Sequence, residues 1–366
     1  MIQTDIAVIG GGPAGLSAAL SAAACGARVT LIDNGLRLGG QLIKQTHRFF
    51  GANDFYAGLR GFEIAERLVR EIRKIDRIDI LSPASVTGIY EDGVLTVAAE
   101  RSSRRVKPKK VVVATGASEN MIPFQNNDLP GVYGAGAVQT LMNLYGVLPG
   151  SRVLVVGAGN IGLIVSYQLL QAGVRVEAVV ESQGRIGGYG VHASKIRRSG
   201  VPIYTRHSIR SVNGGEGVEE AVIAAVDQKM RWQEGTEKKF RVDAVCLAAG
   251  LSPLVDLLWM TGCRMRFVRE LGGYVALRDR NLRTTVETIY IAGDAAGIEE
   301  ATSAMIEGKL AGLSAARSLR PYDPGSQREL GELHSQLARF RDNPAGKKAA
   351  RGIRKASLPG RQEEKC

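Results

Sequence analysis

Residues 5–15 read Asp-Ile-Ala-Val-Ile-Gly-Gly-Gly-Pro-Ala-Gly, and this stretch decides the fold of the chain. A short apolar strand runs directly into a G-x-G-x-x-G turn, and a helix of small residues is predicted from there to about Gly26. A second strand follows from Arg28 to Ile32 and ends at Asp33. This order of elements predicts a Rossmann-type dinucleotide-binding unit: a strand, a glycine turn, a helix, and a second strand that ends in an acidic residue.

The positions of this turn have separate predicted roles. Gly10 makes the tight turn, Gly12 lets the backbone approach a pyrophosphate, and Gly15 lets the helix pack closely against the strand. The pyrophosphate would face the helix N-terminus, where backbone N–H groups and the helix dipole favour an anion. Asp33 is placed to accept hydrogen bonds from the adenosine ribose hydroxyls. The predicted cofactor contacts of this unit are Gly10, Gly12, Pro13, Ala14, Gly15 and Asp33.

The same unit returns 147 residues further along the chain (157 − 10 = 147). A strand at 153–156 leads into Gly-Ala-Gly-Asn-Ile-Gly at 157–162, and the strand after the next helix ends in an acid. The predicted nucleotide contacts of this copy are Gly157, Gly159, Asn160, Ile161, Gly162 and Glu181. Two dinucleotide sites in one chain predict two redox cofactors, one held and one exchanged.

The charge of the chain is basic, but its distribution does not indicate nucleic acid. The 366 residues include 48 Lys+Arg and 36 Asp+Glu, a net charge of +12, and residues 325–366 hold ten basic and five acidic side chains. In that segment Leu330, Leu333, Leu337 and Phe340 have helical spacing and predict a short amphipathic helix. We expect the basic residues after it to form a solvated tail. Aromatic residues make up 5% of the chain without basic–aromatic interleaving, which argues against a nucleic-acid-binding platform.

The four cysteines exclude several kinds of site. Cys25, Cys246, Cys263 and Cys366 form no C-x-x-C pair, so we predict no disulfide scaffold, no metal site and no iron–sulfur cluster bound by this chain. The cysteine usage suits a reducing compartment, and we expect a cytoplasmic location. The first strand is predicted to start by Thr4, which leaves no room for a signal peptide. No apolar run reaches the roughly 18–20 residues of a membrane span.

Four motifs carry a resemblance to a known family over residues 3–320. They are the first glycine turn, Leu-Gly-Gly-Gln at 38–41, Ala-Thr-Gly at 114–116 and Thr-Ile-Tyr-Ile-Ala-Gly-Asp at 288–294. With these motifs the chain resembles the two-domain pyridine-nucleotide:flavin oxidoreductases of the thioredoxin-reductase-like group. The resemblance implies an α/β fold with two Rossmann-like dinucleotide-binding domains, one for FAD and one for a nicotinamide nucleotide.

The resemblance also implies the domain boundaries and further FAD contacts. The FAD-binding domain is expected to be discontinuous, at 1–117 and 252–321, with the NAD(P)-binding domain inserted at 118–251. Residues 322–366 are expected to add the short helix and the basic tail. The helix that starts near Ala301 would aim its N-terminus at the flavin, or be a helix start without that role. The FAD contacts implied outside the first glycine turn are Gly40, Gln41, Ala114, Thr115, Gly116, Gly293, Asp294, Ala301 and Thr302.

The redox C-x-x-C of the disulfide reductases in this group is missing. The equivalent stretch, 130–142, contains no cysteine, so thiol–disulfide chemistry is not expected. Segments 38–47, 129–137 and 293–297 are more similar to the alpha subunits of heteromeric amine dehydrogenases and oxidases. These include the sarcosine oxidase alpha, opine oxidase A, hydrogen cyanide synthase B and dye-linked proline dehydrogenase alpha types. The resemblance implies a hetero-oligomer with a beta flavoprotein subunit, and a separate small iron–sulfur subunit in place of the cysteine-rich module that many relatives carry.

No Ser/His/Asp set or metal-ligand cluster marks a catalytic centre, as expected if the flavin performs the chemistry. Lys44, Thr46 and His47 are candidates for hydrogen bonds to the flavin ring. The competing interpretation is that Phe49 and Phe50 pack this loop and its polar neighbours face water.

Three functions remain open from the sequence. The first is an FAD-dependent alpha subunit of an amino-acid or secondary-amine dehydrogenase that moves electrons between flavin and NAD(H) or partner subunits. The second is a stand-alone NAD(P)H:acceptor oxidoreductase that reduces a quinone or ferredoxin. The third is a binding subunit whose second site holds an adenine nucleotide without turnover. Glu181 predicts NAD(H) over NADP(H), because a carboxylate repels a 2′-phosphate, and Arg185 argues the other way.

Overall fold

The computed structural model describes residues 1–49, 55–100, 102–320 and 324–358. The chain folds as two compact units: a discontinuous domain, Met1–Ser118 with Ser252–Cys366, and an inserted domain, Glu119–Leu251. The chain passes between the two units at two short strands, Ala117–Glu119 and Leu251–Pro253. Each domain has its own sheets and its own hydrophobic core.

The discontinuous domain takes its strands and helices from both ends of the chain. Its first part contains β1 (Ile2–Ile9), α1 (Pro13–Ala24), β2 (Val29–Ile32), α2 (Gly61–Ile72), β3 (Ile78–Leu81), β4 (Ser85–Ile89), β5 (Leu95–Ala99), β6 (Ser102–Val113) and β7 (Ala117–Glu119).

The inserted domain follows β7 and contains β8 (Val132–Gly134), α3 (Ala135–Tyr145), β9 (Arg152–Val156), α4 (Asn160–Gln171), β10 (Arg175–Glu181), α5 (Gly190–Arg198), β11 (Ile203–Thr205), β12 (His207–Asn213), β13 (Glu220–Ala225), β14 (Lys238–Arg241) and β15 (Ala244–Leu247). The chain then returns to the discontinuous domain through β16 (Leu251–Pro253), α6 (Asp256–Met260), β17 (Met265–Val268), β18 (Gly273–Ala276), β19 (Ile289–Ile291), α7 (Ala301–Arg317), α8 (Pro324–Phe340) and α9 (Pro344–Ala356).

The main sheet of the discontinuous domain has the order β3-β2-β1-β6-β5-β4, with β19 also paired to β6. Strands β3, β2, β1, β6 and β19 pair in parallel, whereas β4, β5 and the first half of β6 are antiparallel. The twelve residues of β6 allow this, because Ser102–Val106 pair with β5 and Val111–Val113 pair with β19. The central strand β1 is buried on both faces, which explains its continuous apolar run.

The small residues of α1 serve a close helix–helix contact. A Cβ on Gly308 of α7 would lie 2.0 Å from the Ala14 carbonyl oxygen, and a Cβ on Gly312 would lie 2.2 Å from that of Ala18. Glycines four residues apart lie on one face of a helix, so α1 and α7 meet backbone to backbone. This contact positions α7 against the helix that follows the first glycine turn.

The inserted domain repeats the same architecture. Its parallel sheet has the order β11-β10-β9-β15-β8, and a three-stranded antiparallel sheet, β12-β13-β14, is added to it. The succession β9-α4-β10 corresponds to β1-α1-β2, and β15 takes the place of β6 beside the first strand. The predicted α/β class with two Rossmann-like domains, one of them discontinuous, is confirmed.

The C-terminal segment differs from the expectation of a solvated tail. The predicted amphipathic helix is α8, and its Leu330, Leu333 and Leu337 are buried in the core of the discontinuous domain. The basic residues after it form a second helix, α9, whose last residue Ala356 packs against Leu271. Residues 324–358 form two helices because α8 buries its leucines in the domain core and the end of α9 packs against Leu271 and Val275. The described residues contain no helix that is both long enough and apolar enough to cross a membrane.

Candidate functional site

The first glycine turn contains two glycines that the backbone itself requires. Gly10 has a φ of 106°, and a Cβ there would lie 2.2 Å from the carbonyl oxygen of Ala114 at the end of β6. A Cβ on Gly15 would lie 1.7 Å from the carbonyl oxygen of Gly10. Both glycines therefore close the turn between β1 and α1, and any side chain would force the backbone apart.

Gly12 is different, because it faces open space. Its backbone is extended, with a φ of −79°, and a Cβ there would meet only the Cα of Gly40, at 3.9 Å, within 4 Å. Gly12 is the N-cap of α1, and no side chain among the described residues caps that helix. The free N–H groups and the helix dipole at this point suit a phosphate, and a side chain on Gly12 would fill its space. The residues present therefore fit a bound pyrophosphate.

The Gly39–Gly40 pair lies directly across the glycine turn. Gly39 donates its N–H to the carbonyl oxygen of Gly11 at 2.7 Å, and a Cβ on Gly40 would lie 2.8 Å from the Cα of Gly12. Both residues have positive φ angles, 124° and 52°. Gln41 then follows in a short 3₁₀ helix, Gly40–Lys44, and is exposed.

Asp33 uses both carboxylate oxygens to order the turn. Oδ2 accepts the N–H of Gly11 at 2.6 Å, and Oδ1 accepts the N–H of Gly35 at 2.8 Å. A carboxylate oxygen has a second lone pair, so ribose hydroxyls can bind the same oxygens. The half-buried carboxylate thus has a fixed orientation before any ligand is present.

The Gly293–Asp294 motif lies beside the start of α1. A Cβ on Gly293, whose φ is 67°, would lie 2.8 Å from the Cβ of Ala14. Asp294 is half-buried, and its loss of contact with water raises the pKa of its carboxyl to about 6, although Oδ1 accepts the N–H of Glu299 at 3.4 Å. Helix α7 begins at Ala301 without an acidic residue in its first turn. The structure therefore gathers Gly12, Gly40 and Asp294, which are far apart in sequence, around the N-terminus of one helix.

The elevated pKa of Asp294 predicts a pH-dependent stability. The carboxyl of Asp294 binds its proton more tightly in the native state than in the unfolded state. The unfolding free energy of the apoprotein should therefore decrease as the pH rises from about 4 to about 6. At pH 8 the variant Asp294→Asn should be more stable than the parent, by about 2–3 kcal/mol. Urea unfolding at pH 4.5 and pH 8 measures this, with the exposed Asp76→Asn as control. If the unfolding free energy of Asp294→Asn exceeded that of the parent by no more at pH 8 than at pH 4.5, the prediction would be wrong.

The second glycine turn reproduces the first in detail. A Cβ on Gly157 would lie 2.3 Å from the Ala248 carbonyl oxygen, and one on Gly162 would lie 2.0 Å from the Gly157 carbonyl oxygen. A Cβ on Gly159 meets no described atom within 4 Å. Glu181 accepts the N–H of Ala158 on Oε2 at 2.9 Å and that of Gln183 on Oε1 at 2.8 Å. This turn, like the first, has an open glycine and an acid oriented by two backbone N–H groups.

The sequence reasoning missed a further element of this repeat. Gly187–Gly188 follow Glu181 by six and seven residues, as Gly39–Gly40 follow Asp33, and each pair ends an Arg-x-Gly-Gly string. Gly188, the second glycine of its pair, donates its N–H to the Ala158 carbonyl oxygen at 2.9 Å, whereas in the first copy the bond to Gly11 comes from Gly39, the first glycine of the pair. The repeated string was the signal that would have found it.

One predicted residue of the second site has a structural role that the sequence did not indicate. The Oδ1 of Asn160 accepts the N–H of Tyr189 at 2.8 Å, which fastens the double-glycine loop to the start of α4. Ile161 is 41% exposed beside it. Arg206 was also missed: its guanidinium would lie 3.2 Å from a Cβ on Gly184, three residues after the ribose acid. Arg206 therefore joins Arg185 as a cation near the ribose position.

The three candidate catalytic side chains lie on and after the 3₁₀ helix. Lys44 ends that helix, and the Thr46 carbonyl oxygen accepts a hydrogen bond from Arg60 at 2.9 Å. The His47 ring stacks on Phe49, with centroids 5.5 Å apart and an interplanar angle of 17°. Phe50 lies outside the described residues. The packing role of Phe49 is seen, and contacts of the three side chains with a flavin stay a prediction. The implied Ala114–Gly116 segment directly follows β6, and Thr115 donates its hydroxyl to the Leu254 carbonyl oxygen at 2.7 Å.

Comparisons with known proteins agree with this geometry. Opine oxidase A of Agrobacterium tumefaciens (strain Ach5) is 31% identical over 367 residues, covering 92% of this chain and 70% of the relative. The alpha subunit of sarcosine oxidase of Rhizobium meliloti (strain 1021) is 30% identical over 289 residues, covering 74% of this chain and 27% of the relative. Among solved structures, L-proline dehydrogenase from P. horikoshii is similar with a TM-score of 0.70 and 26% identity, covering 90% of this chain and 59% of that one.

The predicted resemblance to subunits of amine-oxidising enzymes is thereby confirmed. The sequence model of one family, described as pyridine nucleotide-disulphide oxidoreductase, matches residues 4–308. That range contains both glycine turns, both ribose acids and the Gly293–Asp294 motif. This chain is therefore a member of the pyridine nucleotide-disulphide oxidoreductase family.

Proposed function

We propose that this protein is the FAD-dependent alpha subunit of a heteromeric amino-acid or secondary-amine dehydrogenase, moving electrons between flavin and NAD(H) or partner subunits. The observation that carries the proposal is the pair of complete dinucleotide sites, each with an open glycine, Gly12 or Gly159. Several relatives are named as subunits of enzymes that oxidise opines or sarcosine, which supports the heteromeric assignment.

The residues of the discontinuous domain fit FAD. The open position at Gly12 and the N-terminus of α1 would hold the pyrophosphate, and Asp33 would hold the ribose hydroxyls. FMN lacks the adenosine half for which these groups are arranged. Bound FAD would supply hydride and electron transfer, and the chain's own residues bind it, orient it and exclude water. The N-terminus of α7 would favour negative charge on the flavin.

The positions of the thiols support an activity other than disulfide reduction. Cys246 is fully buried in β15, and burial raises the pKa of its thiol. Cys263 is 5% exposed, and Cys25 follows the last residue of α1. A disulfide reductase needs an accessible pair of cysteines beside the flavin. The equivalent stretch, 130–142, has no cysteine.

The proposal predicts that amine oxidation depends on partner chains. The tagged chain, purified with its native partners, should reduce a dye with proline, hydroxyproline, sarcosine or an opine at least tenfold faster than the chain produced alone. Mass spectrometry of the co-purified material should identify a beta flavoprotein and a small iron–sulfur protein. If the chain alone oxidised one of these amines at ~1 s⁻¹ or faster, its assignment as one subunit of a larger enzyme would be wrong.

A stand-alone NAD(P)H:acceptor oxidoreductase is the second candidate, and the complete second site favours it. Rapid bleaching of the flavin by NADH in the isolated chain, followed by fast reduction of a quinone or ferredoxin, would support that function. Slow bleaching by NADH, together with amine-dependent reduction of the flavin in the native complex, would instead support the role as an alpha subunit of a heteromeric dehydrogenase.

A further inference from the structure

A buried group of charges lies behind the Gly293–Asp294 motif. The guanidinium of Arg341, just after the end of α8, lies 2.6 Å from Glu299 Oε1 and 2.6 Å from Glu307 Oε1, and its Nε lies 3.0 Å from Glu299 Oε2. The side chains of Arg341, Glu299 and Glu307 are 15%, 11% and 3% exposed, respectively. We call these three residues the Arg341 clamp.

The clamp connects directly to the motif that faces the proposed cofactor. The second carboxylate oxygen of Glu307 accepts the N–H of Gly293 at 3.0 Å. The backbone N–H of Glu299 donates to Asp294 at 3.4 Å. Each acid bound by Arg341 thus also has a bond to one residue of the motif. The guanidinium therefore contacts two residues that are themselves hydrogen-bonded to Gly293 and Asp294.

The local charge makes the arginine necessary. Asp294, Glu299 and Glu307 are three neighbouring carboxyls with little access to water, and Arg278, which is 3% exposed, is a second cation near them. Removing one partner of a buried ion pair leaves an uncompensated charge that must be neutralised or moved to water. Without Arg341, Glu299 and Glu307 would lose the cation that both carboxylates contact, and the motif would lose its fixed geometry.

Arg341 lies outside the part of the chain that the family model matches, 4–308. Its placement depends on the C-terminal helices. Leu333 and Leu337 of α8 are buried in the domain core, and a Cβ on Gly346 at the start of α9 would lie 2.4 Å from the Arg341 carbonyl oxygen. This tight turn between α8 and α9 fixes the backbone of Arg341 in front of the two acids.

We propose that Arg341 is a positioning residue for the flavin, through which the C-terminal helices complete the cofactor site. The inference rests on the proposed FAD site and adds a requirement for a residue outside it. In this proposal Arg341 acts through other residues and not by its own contact with the cofactor. It holds Glu307 and Glu299, which in turn hold Gly293 and Asp294 at the N-terminus of α1.

The test compares Arg341→Gln and Arg341→Lys with Arg339→Gln, which changes an exposed arginine near the end of α8. Titration of each apoprotein with FAD, followed by flavin fluorescence, should show about tenfold weaker binding for Arg341→Gln. Arg341→Lys should lie between Arg341→Gln and the parent, and Arg339→Gln should stay within twofold of the parent. The flavin midpoint potential of Arg341→Gln should differ from that of the parent, because removing the guanidinium changes the charge balance of the buried group behind Gly293 and Asp294. A merely structural role would leave the potential unchanged.

Amide hydrogen exchange in the apoprotein separates the clamp from the flavin assignment. Residues 293–300 should exchange faster in Arg341→Gln than in Arg339→Gln, whatever cofactor the protein binds. If residues 293–300 exchanged faster in Arg341→Gln but the parent protein bound no FAD, the role of the Arg341 clamp would be supported and the assignment of FAD as the cofactor would be wrong. The proposal would be wrong if Arg341→Gln had the same FAD affinity, the same flavin midpoint potential and the same amide exchange rates as the parent protein. If Arg341→Gln does not fold, Arg341→Lys is judged by the same three measurements.

Discussion

Replacing Gly12 with valine is expected to abolish FAD binding, weakening it at least a thousandfold, while the fold is retained. The extended φ of −79° is accessible to any residue, and a Cβ there meets only one atom within 4 Å, at 3.9 Å. The side chain would instead fill the space in front of α1 that the pyrophosphate needs, and it would cover the free N–H groups. The measurements are the cofactor released on denaturation and the far-UV circular dichroism of the apoprotein.

Two matched variants make this result specific. Gly159→Val changes the corresponding open position of the second turn, so it should keep FAD and lose the response to nicotinamide nucleotide. Gly15→Ala should instead destabilise the fold by roughly 3 kcal/mol or more, because its Cβ would lie 1.7 Å from the Gly10 carbonyl oxygen. If Gly12→Val folded and still retained FAD, the predicted pyrophosphate position at Gly12 would be wrong. If the parent protein released FMN on denaturation, the assignment of FAD as the flavin would be wrong.

The second large effect concerns the choice between NADH and NADPH. The Glu181 carboxylate is held toward the ribose position by the N–H groups of Ala158 and Gln183. Two unit charges about 4 Å apart repel by about 4 kcal/mol at an effective dielectric of 20, and screening of the half-exposed group reduces this. We therefore expect flavin reduction to prefer NADH by roughly 100-fold in kcat/KM, since each 1.4 kcal/mol is tenfold.

The variant Glu181→Gln should reduce that preference to less than about tenfold, because the amide keeps the shape and removes the charge. Asp33→Asn is the matched control in the first copy: it should weaken FAD binding without changing the nicotinamide preference. Stopped-flow reduction of the flavin by the two nucleotides measures both. A parent protein reduced faster by NADPH would contradict the prediction and indicate that Arg185 and Arg206 bind the 2′-phosphate.

The sequence predicted those parts of the two sites that are local in the chain. A G-x-G-x-x-G turn has one backbone solution between a strand and a helix, so the roles of Gly10, Gly12 and Gly15 follow from their spacing. The same holds for the ribose acids, which end the second strand of each unit. The Gly187–Gly188 pair is also local, and comparing the two Arg-x-Gly-Gly strings would have found it.

The C-terminal segment was predicted only in part. The spacing of Leu330, Leu333 and Leu337 predicted α8, because burying one face is what makes a short helix stable. Helix α9 was missed, since its composition is dominated by basic and small residues and its apolar contacts are few. It forms because the domain provides Leu271 and Val275 as a surface for Ala356.

The sequence by itself therefore determined the α/β class and the two Rossmann-like units with their glycine turns, because each depends on a short stretch of chain. Only the tertiary structure decided which distant residues share a site. Arg341 pairs with Glu307 and Glu299, which are 34 and 42 residues away, and Gly293 lies beside Ala14. A buried charge leaves no recognisable pattern in the sequence. The partners of Arg341 are determined by how α8 packs onto the core, so the arginine and the two acids come together only in the folded chain.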